Sequence, residues 1–194
     1  MSRMRIVGGA LRGRVLSAPE GLETRPTSER VREAIFNILA HGIEGFDMEG
    51  QRVLDLFAGT GALGLEALSR GAKFAQFVDE GSEARGIIRQ NADGLGLIGQ
   101  SKIWRRDGTK LGPCAPLAPF GLIFADPPYN KGMGTAALKS IMDGGWAAPG
   151  AVVVLEEAVK AEVVVPEGLE PLDQREYGVT QVLFLRAGFP LSRE

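Results

Sequence analysis

The chain has 194 residues, 44% apolar and 24% charged, which suits one well-filled globular core and not clearly two. No apolar stretch approaches the roughly 20 residues of a membrane span, and no apolar core follows the basic start to make a signal peptide. One cysteine, Cys114, and one histidine, His41, exclude a disulfide framework and a zinc cluster, so a cytoplasmic protein without a metal is expected.

In chain order, residues 3–18 alternate loosely around the turn signals Gly8-Gly9 and Gly13 and predict a small hairpin. This arm carries Arg3, Arg5, Arg12 and Arg14 and no acid, whereas the net charge of the whole chain is −2. An arginine-only arm on an acidic body points to a local polyanion contact. Thr24-Arg-Pro-Thr-Ser28 reads as a helix start with Ser28 as cap. Val31, Ala34, Ile35, Ile38 and Leu39 then recur at helical spacing, and Gly42 and Gly45 end the helix.

From Arg52 the period changes. Val53–Phe57 reads as a strand, Gly59–Gly64 as a tight loop, Ala62–Ser69 as a helix and Phe74–Asp79 as a second strand. A helix over 82–95, a short strand Lys102–Arg105, a strand over 120–125, a helix over roughly 135–146 and a strand Ala151–Leu155 follow. Such alternation predicts a mostly parallel α/β sheet covered on both faces. Residues 162–165, 171–177 and 179–186 lack helical spacing and predict antiparallel strands on one edge. The expected organisation is an N-terminal hairpin and helix extension over 1–45, a sheet domain over 46–187 and a loose tail over 188–194.

Gly59-Thr-Gly61-Ala-Leu-Gly64 fits G-x-G-x-x-G after a strand and before a helix, and Asp79 follows Gly59 by 20 residues at the end of the second strand. The combination suits a dinucleotide or any other adenosine-bearing cofactor. Asp55, at the end of the first strand, is unfavourable beside a pyrophosphate. It is favourable beside the ammonium and sulfonium of S-adenosylmethionine. Asp79 then serves the ribose and Asp107 the adenine amine, with Phe57 in the same cofactor set. The competing reading is that Asp55 and Asp107 cap turns or helices.

The run Phe120–Ala125 ends in Asp126-Pro127-Pro128-Tyr129. The prolines fix an extended backbone and remove two N–H donors, leaving outward carbonyls. Asp126 and the Pro127 carbonyl can accept both hydrogens of an exocyclic amine, and Tyr129 can stack on its ring. That arrangement suits in-line methyl transfer to a ring amine, driven by placement. Cys114, in a proline-flanked loop, reads as an incidental thiol rather than a nucleophile, and His41 as a helix-end residue.

Four stretches, Met4–Arg14, Thr24–Asn37, Asp55–Arg70 and Asp126–Tyr129, resemble the RsmD family of bacterial 16S rRNA guanine methyltransferases. The resemblance runs from about residue 3 to 186, and the first two stretches are its specific part. It implies a class I methyltransferase fold, Rossmann-like, with S-adenosylmethionine as donor and 16S rRNA in an assembling small subunit as substrate. It carries the target-base site to Asp126, Pro127, Pro128 and Tyr129, and the donor site to Gly59, Gly61 and Asp79. The arm with Arg25, Thr27, Arg30 and Arg32 becomes the RNA contact, and a monomer is expected. Gly108 after Asp107 departs from the small apolar residue common in relatives. The rival readings are an adenine amino-methyltransferase acting on DNA or another RNA, a non-catalytic rRNA-binding assembly factor, and a nicotinamide oxidoreductase.

Overall fold

The first helix shows how local spacing becomes an element. Val31, Ile35, Phe36 and Leu39 fall on one face and are all buried, which fixes α1 over Pro26–His41. The helix begins at Pro26, where a missing N–H costs nothing in the first turn. Ser28 therefore lies inside the helix and not at its cap. The computed structural model describes residues 3–20, 26–129 and 132–188, and for 26–28 the backbone alone.

The described chain forms two compact units, Met1–Arg106 and Asp107–Glu194. In the first, β1 (Arg52–Leu56), α2 (Ala62–Ser69), β2 (Phe74–Val78), α3 (Ser82–Gly94) and β3 (Ser101–Trp104) alternate as the sequence predicts. β2 lies between the other two strands, parallel to both, in register from Arg52↔Phe74 to Leu56↔Val78 and from Ala75↔Ser101 to Val78↔Trp104. β1 and β2 are buried over four consecutive residues each, apolar except for Asp55 and Gln76, as expected of a sheet covered on both faces. The hairpin expected over 3–18 is present in brief form. Arg5 bridges Val15, Ile6 N–H donates to the Arg14 carbonyl and Leu16 N–H to the Met4 carbonyl. Ile6 and Leu16 are buried, so the arm has its own small apolar footing.

The second unit holds β4 (Phe120–Ala125), α4 (Met133–Asp143), β5 (Ala147–Ala158), β6 (Leu169–Tyr177) and β7 (Thr180–Ala187). β4 and β5 are parallel, β5 and β7 antiparallel, and β6 and β7 form a hairpin. β5 is much longer than Ala151–Leu155. Its start is drawn in by Trp146, stacked on Phe120 at 6.1 Å, and its end continues because Glu156, Glu157 and Ala158 find partners in Val182, Gln181 and Thr180. The strand expected over 162–165 does not form. The chain turns instead at Ala158–Ala161, where Ala161 N–H bonds the Ala158 carbonyl. β6 is exposed along most of its length and has a register shift between Pro171 and Asp173, an edge protected by proline and irregularity.

Candidate active site

In the first unit, β1 delivers the chain into the glycine loop through a strained residue. Phe57 has φ +55°, the left-handed region that costs an ordinary residue about 1–2 kcal/mol. Gly59 and Gly61 follow at φ +57° and +79°. Two of the three acids expected beside the donor hold this loop from below and from the side. Asp55 is buried, and its Oδ2 accepts Gly64 N–H at 3.0 Å in the first turn of α2. It thus braces the loop from beneath, as the capping alternative required. Asp79 is half-buried; Oδ2 accepts Gly59 N–H at 3.0 Å and Oδ1 accepts Gly81 N–H at 2.8 Å. Gly64 is needed for packing: a Cβ there would stand 2.4 Å from Cε1 of Phe77 on β2. Gly59 differs, since a Cβ on it would meet no atom within 4 Å, so the crest of the loop is open on that side.

Asp107 opens the second unit. Its Oδ1 accepts both the N–H (2.8 Å) and the hydroxyl (2.7 Å) of Thr109, and Lys110 adds a positive charge. The Thr109 hydroxyl bond and then its backbone bond hold the carboxyl below its usual 3.8, against a smaller opposing effect of burial. Asp107 is therefore an ionised, acceptor-only group at neutral pH.

Further along the same unit, β4 is buried through Ala125 and the chain emerges at Asp126, which is exposed. Pro127 is buried and Pro128 exposed, so the two prolines anchor and present the turn respectively. Tyr129 is half-buried, its hydroxyl 2.6 Å from Thr180 Oγ1 at the start of β7. The ring is thus held at its polar end. Cys114 is buried, with its thiol directed at the Leu117 carbonyl 3.7 Å away, and His41 is exposed at the end of α1.

Of the arginines expected to meet RNA, Arg3, Arg5, Arg12, Arg14 and Arg30 are exposed. Arg14 also donates to the Gly94 carbonyl at 2.8 Å. Arg32 is different. It is 3% exposed, donates to the Arg5 carbonyl and lies 3.7 Å from Glu66, so its charge is used inside the unit and it presents no surface to a polyanion. Arg25 and the side chain of Thr27 lie outside the described residues.

A family model described as conserved hypothetical protein 95 matches residues 4–186. Ribosomal RNA small subunit methyltransferase D of Escherichia coli is 35% identical over 160 residues, 81% of this chain and 76% of that protein. The Bacillus subtilis protein YlbH is 35% identical over 182 residues, covering 92% of this chain and 96% of its own length. The solved structure of yhhF from Escherichia coli superposes with a TM-score of 0.82 at 31% identity, over 96% of this chain and 99% of that one. The chain belongs to the RsmD family. Its fold is the Rossmann-like α/β fold of S-adenosylmethionine-dependent methyltransferases, mostly parallel with antiparallel C-terminal strands.

Within each unit, polar residues that sequence reasoning passes over brace these elements. Glu66, fully buried on α2, accepts Val7 N–H at 2.9 Å, Gly8 N–H at 2.8 Å and Arg70 Nε at 3.0 Å. Asn91 on α3 and Thr180 on β7 are the others. The available signal was Glu66 itself, the one charge in the otherwise apolar Ala62–Ser69.

Proposed function

We propose that the chain transfers a methyl group from S-adenosylmethionine to the exocyclic N2 of a guanine in 16S rRNA, as a monomer acting on an assembling small subunit in the cytoplasm. Relatives named for small-subunit rRNA methylation support the substrate class. The observation that carries the chemistry is the end of β4, where a buried strand gives way to exposed Asp126, an anchored Pro127 and a tyrosine pinned by Thr180. Among the described residues there is no cluster able to hold a metal and no helix long and apolar enough to cross a membrane.

The first unit's loop suits the donor. Asp79 offers carboxyl oxygens beside the open crest at Gly59, where ribose hydroxyls can donate, and Asp55 stands under the loop. Asp107 is a fixed acceptor suited to an adenine amine. The donor supplies a methyl on a positively charged sulfur. Asp126 and the Pro127 carbonyl accept the two N2 hydrogens of guanine, which draws the nitrogen lone pair out of ring conjugation. The nitrogen forms the new N–CH3 bond as the S–CH3 bond breaks, and the bonding pair stays with sulfur. The surplus N–H proton then leaves to Asp126 or water. Tyr129 stacks on the base. Residues 1–45, through Arg3, Arg5, Arg12, Arg14, Arg25, Thr27 and Arg30, form the RNA-contacting extension.

The test uses labelled donor and small-subunit particles from cells lacking the protein. The expected product is N2-methylguanosine in 16S rRNA, with kcat reduced by at least about 100-fold in Asp126→Ala. Label recovered as N6-methyladenine would move the assignment to the adenine rival. Full activity of the variant would overturn the role of the motif, and binding of rRNA and donor without turnover would leave an assembly factor.

A further inference from the structure

The arm does more than display arginines, because its inner side is bonded to the donor loop. Asn91, 4% exposed on α3, uses its whole amide for this. Its Oδ1 accepts Ser17 N–H at 2.7 Å, and its Nδ2 donates to the Ser17 carbonyl at 3.0 Å and to the Thr60 carbonyl at 2.9 Å. Thr60 stands between Gly59 and Gly61, at the crest of the loop. Its hydroxyl meets Met4 Sδ at 3.5 Å, from the other strand of the arm. The arm is further seated on α2, the helix that the loop opens, through Glu66 and through Ser69. The Ser69 carbonyl accepts Ala10 N–H at 2.8 Å, and a Cβ on Gly9 would stand only 2.0 Å from that carbonyl oxygen.

We infer that this junction is part of the donor site: Asn91 is a positioning residue that sets the Thr60 carbonyl, and arm docking sets donor affinity. The inference rests on the donor reading given above. Phe57 at the loop's entry is an ordinary residue held in the left-handed region, so neighbours must fix the loop, and at Thr60 the holds are Met4 of the arm and Asn91, itself bonded to Ser17 of the arm. Because coupling of two binding events is reciprocal, donor occupancy in turn orders the arm and raises its affinity for RNA. A solely structural role for Asn91 predicts a lower melting temperature with donor affinity unchanged.

The experiment titrates S-adenosylhomocysteine into the wild type, Asn91→Ala and Gly9→Ala by calorimetry, with circular dichroism to establish folding. Gly9→Ala leaves every loop residue in place and disturbs only the arm, through the clash with the Ser69 carbonyl and the strain of its φ +79° turn. Both variants are expected to bind about tenfold more weakly, the effect of losing one or two buried hydrogen bonds, and their steady-state defect falls on donor KM. Folded variants with wild-type affinity would overturn the inference while leaving the donor reading intact. A wild type that binds no S-adenosylhomocysteine sinks the donor reading itself. Hydrogen exchange on the wild type decides the matter if neither variant folds. Added S-adenosylhomocysteine is expected to slow exchange of the Leu11 and Ser17 amides, and unchanged rates there overturn the coupling.

Discussion

Glu66 and Arg32 form a buried pair whose worth lies in what each would become alone. Glu66 is fully buried, Arg32 nearly so, and Glu66 also takes two backbone donors from the arm. Removing the carboxylate strands a buried guanidinium and two N–H groups. Glu66→Ala is therefore expected to destabilise the protein by about 3–5 kcal/mol in urea melts. Arg30→Ala, at an exposed position, should stay within about 0.5 kcal/mol of wild type. Asp107 gives a pH-dependent test. Its carboxyl is held below 3.8 by Thr109, so its stabilising effect is complete above the unfolded value and is lost as pH falls through the lower folded value. Thr109→Val removes the largest cause, and an NMR titration of the variant should show the Asp107 midpoint moved back up toward 3.8. Local residue identity made Asp79 and Asp126 legible, because each ends an apolar strand. Arg32 was misread for the opposite reason. Arg30 and Glu33 beside it are charged and exposed, and its partner Glu66 is 34 positions away.

At the scale of elements, the packing of α2 on β2 depends on one missing methyl group. Gly64→Ala places its Cβ 2.4 Å from the Phe77 ring and 3.2 Å from Asp55 Oδ2, so the helix start must move. The expected cost is about 1–3 kcal/mol of stability, with weaker S-adenosylhomocysteine binding because the loop shifts with the helix. The alternation of strands and helices could be read directly, since buried parallel strands are continuous apolar runs and α1, α3 and α4 each carry an apolar face. The length of β5 could not. Glu156 and Glu157 read as the polar end of a strand until β7 is there to pair with them. Residues 162–165 failed in the converse sense, for a valine-rich stretch without a partner strand stays a loop. The hairpin arm was readable from its glycines. Its seating was not, because bonds from Glu66, Ser69 and Asn91 span 58–74 positions.

For the whole molecule, charge governs the encounter with RNA. Four arginines and no acid over residues 1–18, within a net charge of −2, confine the attraction to the arm. Few phosphates are then neutralised, and affinity for bare RNA should be modest and weakly dependent on salt. Arg12→Ala with Arg14→Ala is expected to reduce the slope of log K against log salt by about 2 in filter binding, with donor affinity preserved by the buried contacts beneath. The distribution of chromophores and thiol has a consequence of its own. Trp104 belongs to the first unit and Trp146 to the second, and the chain has no other tryptophan. Trp146 is fully buried, stacked on Phe120 and hydrogen-bonded to the Gly112 carbonyl, whereas Trp104 is half-buried under Arg106. Cys114, the lone thiol, is buried in the second unit as well. Trp104→Phe leaves a chain whose fluorescence and thiol labelling both report the second unit, and Trp146→Phe leaves fluorescence that reports the first. One conservative substitution thus turns the protein's own fluorescence into a clock for either the half that holds the glycine loop or the half that presents Asp126, and the native thiol is a chemical clock for the latter.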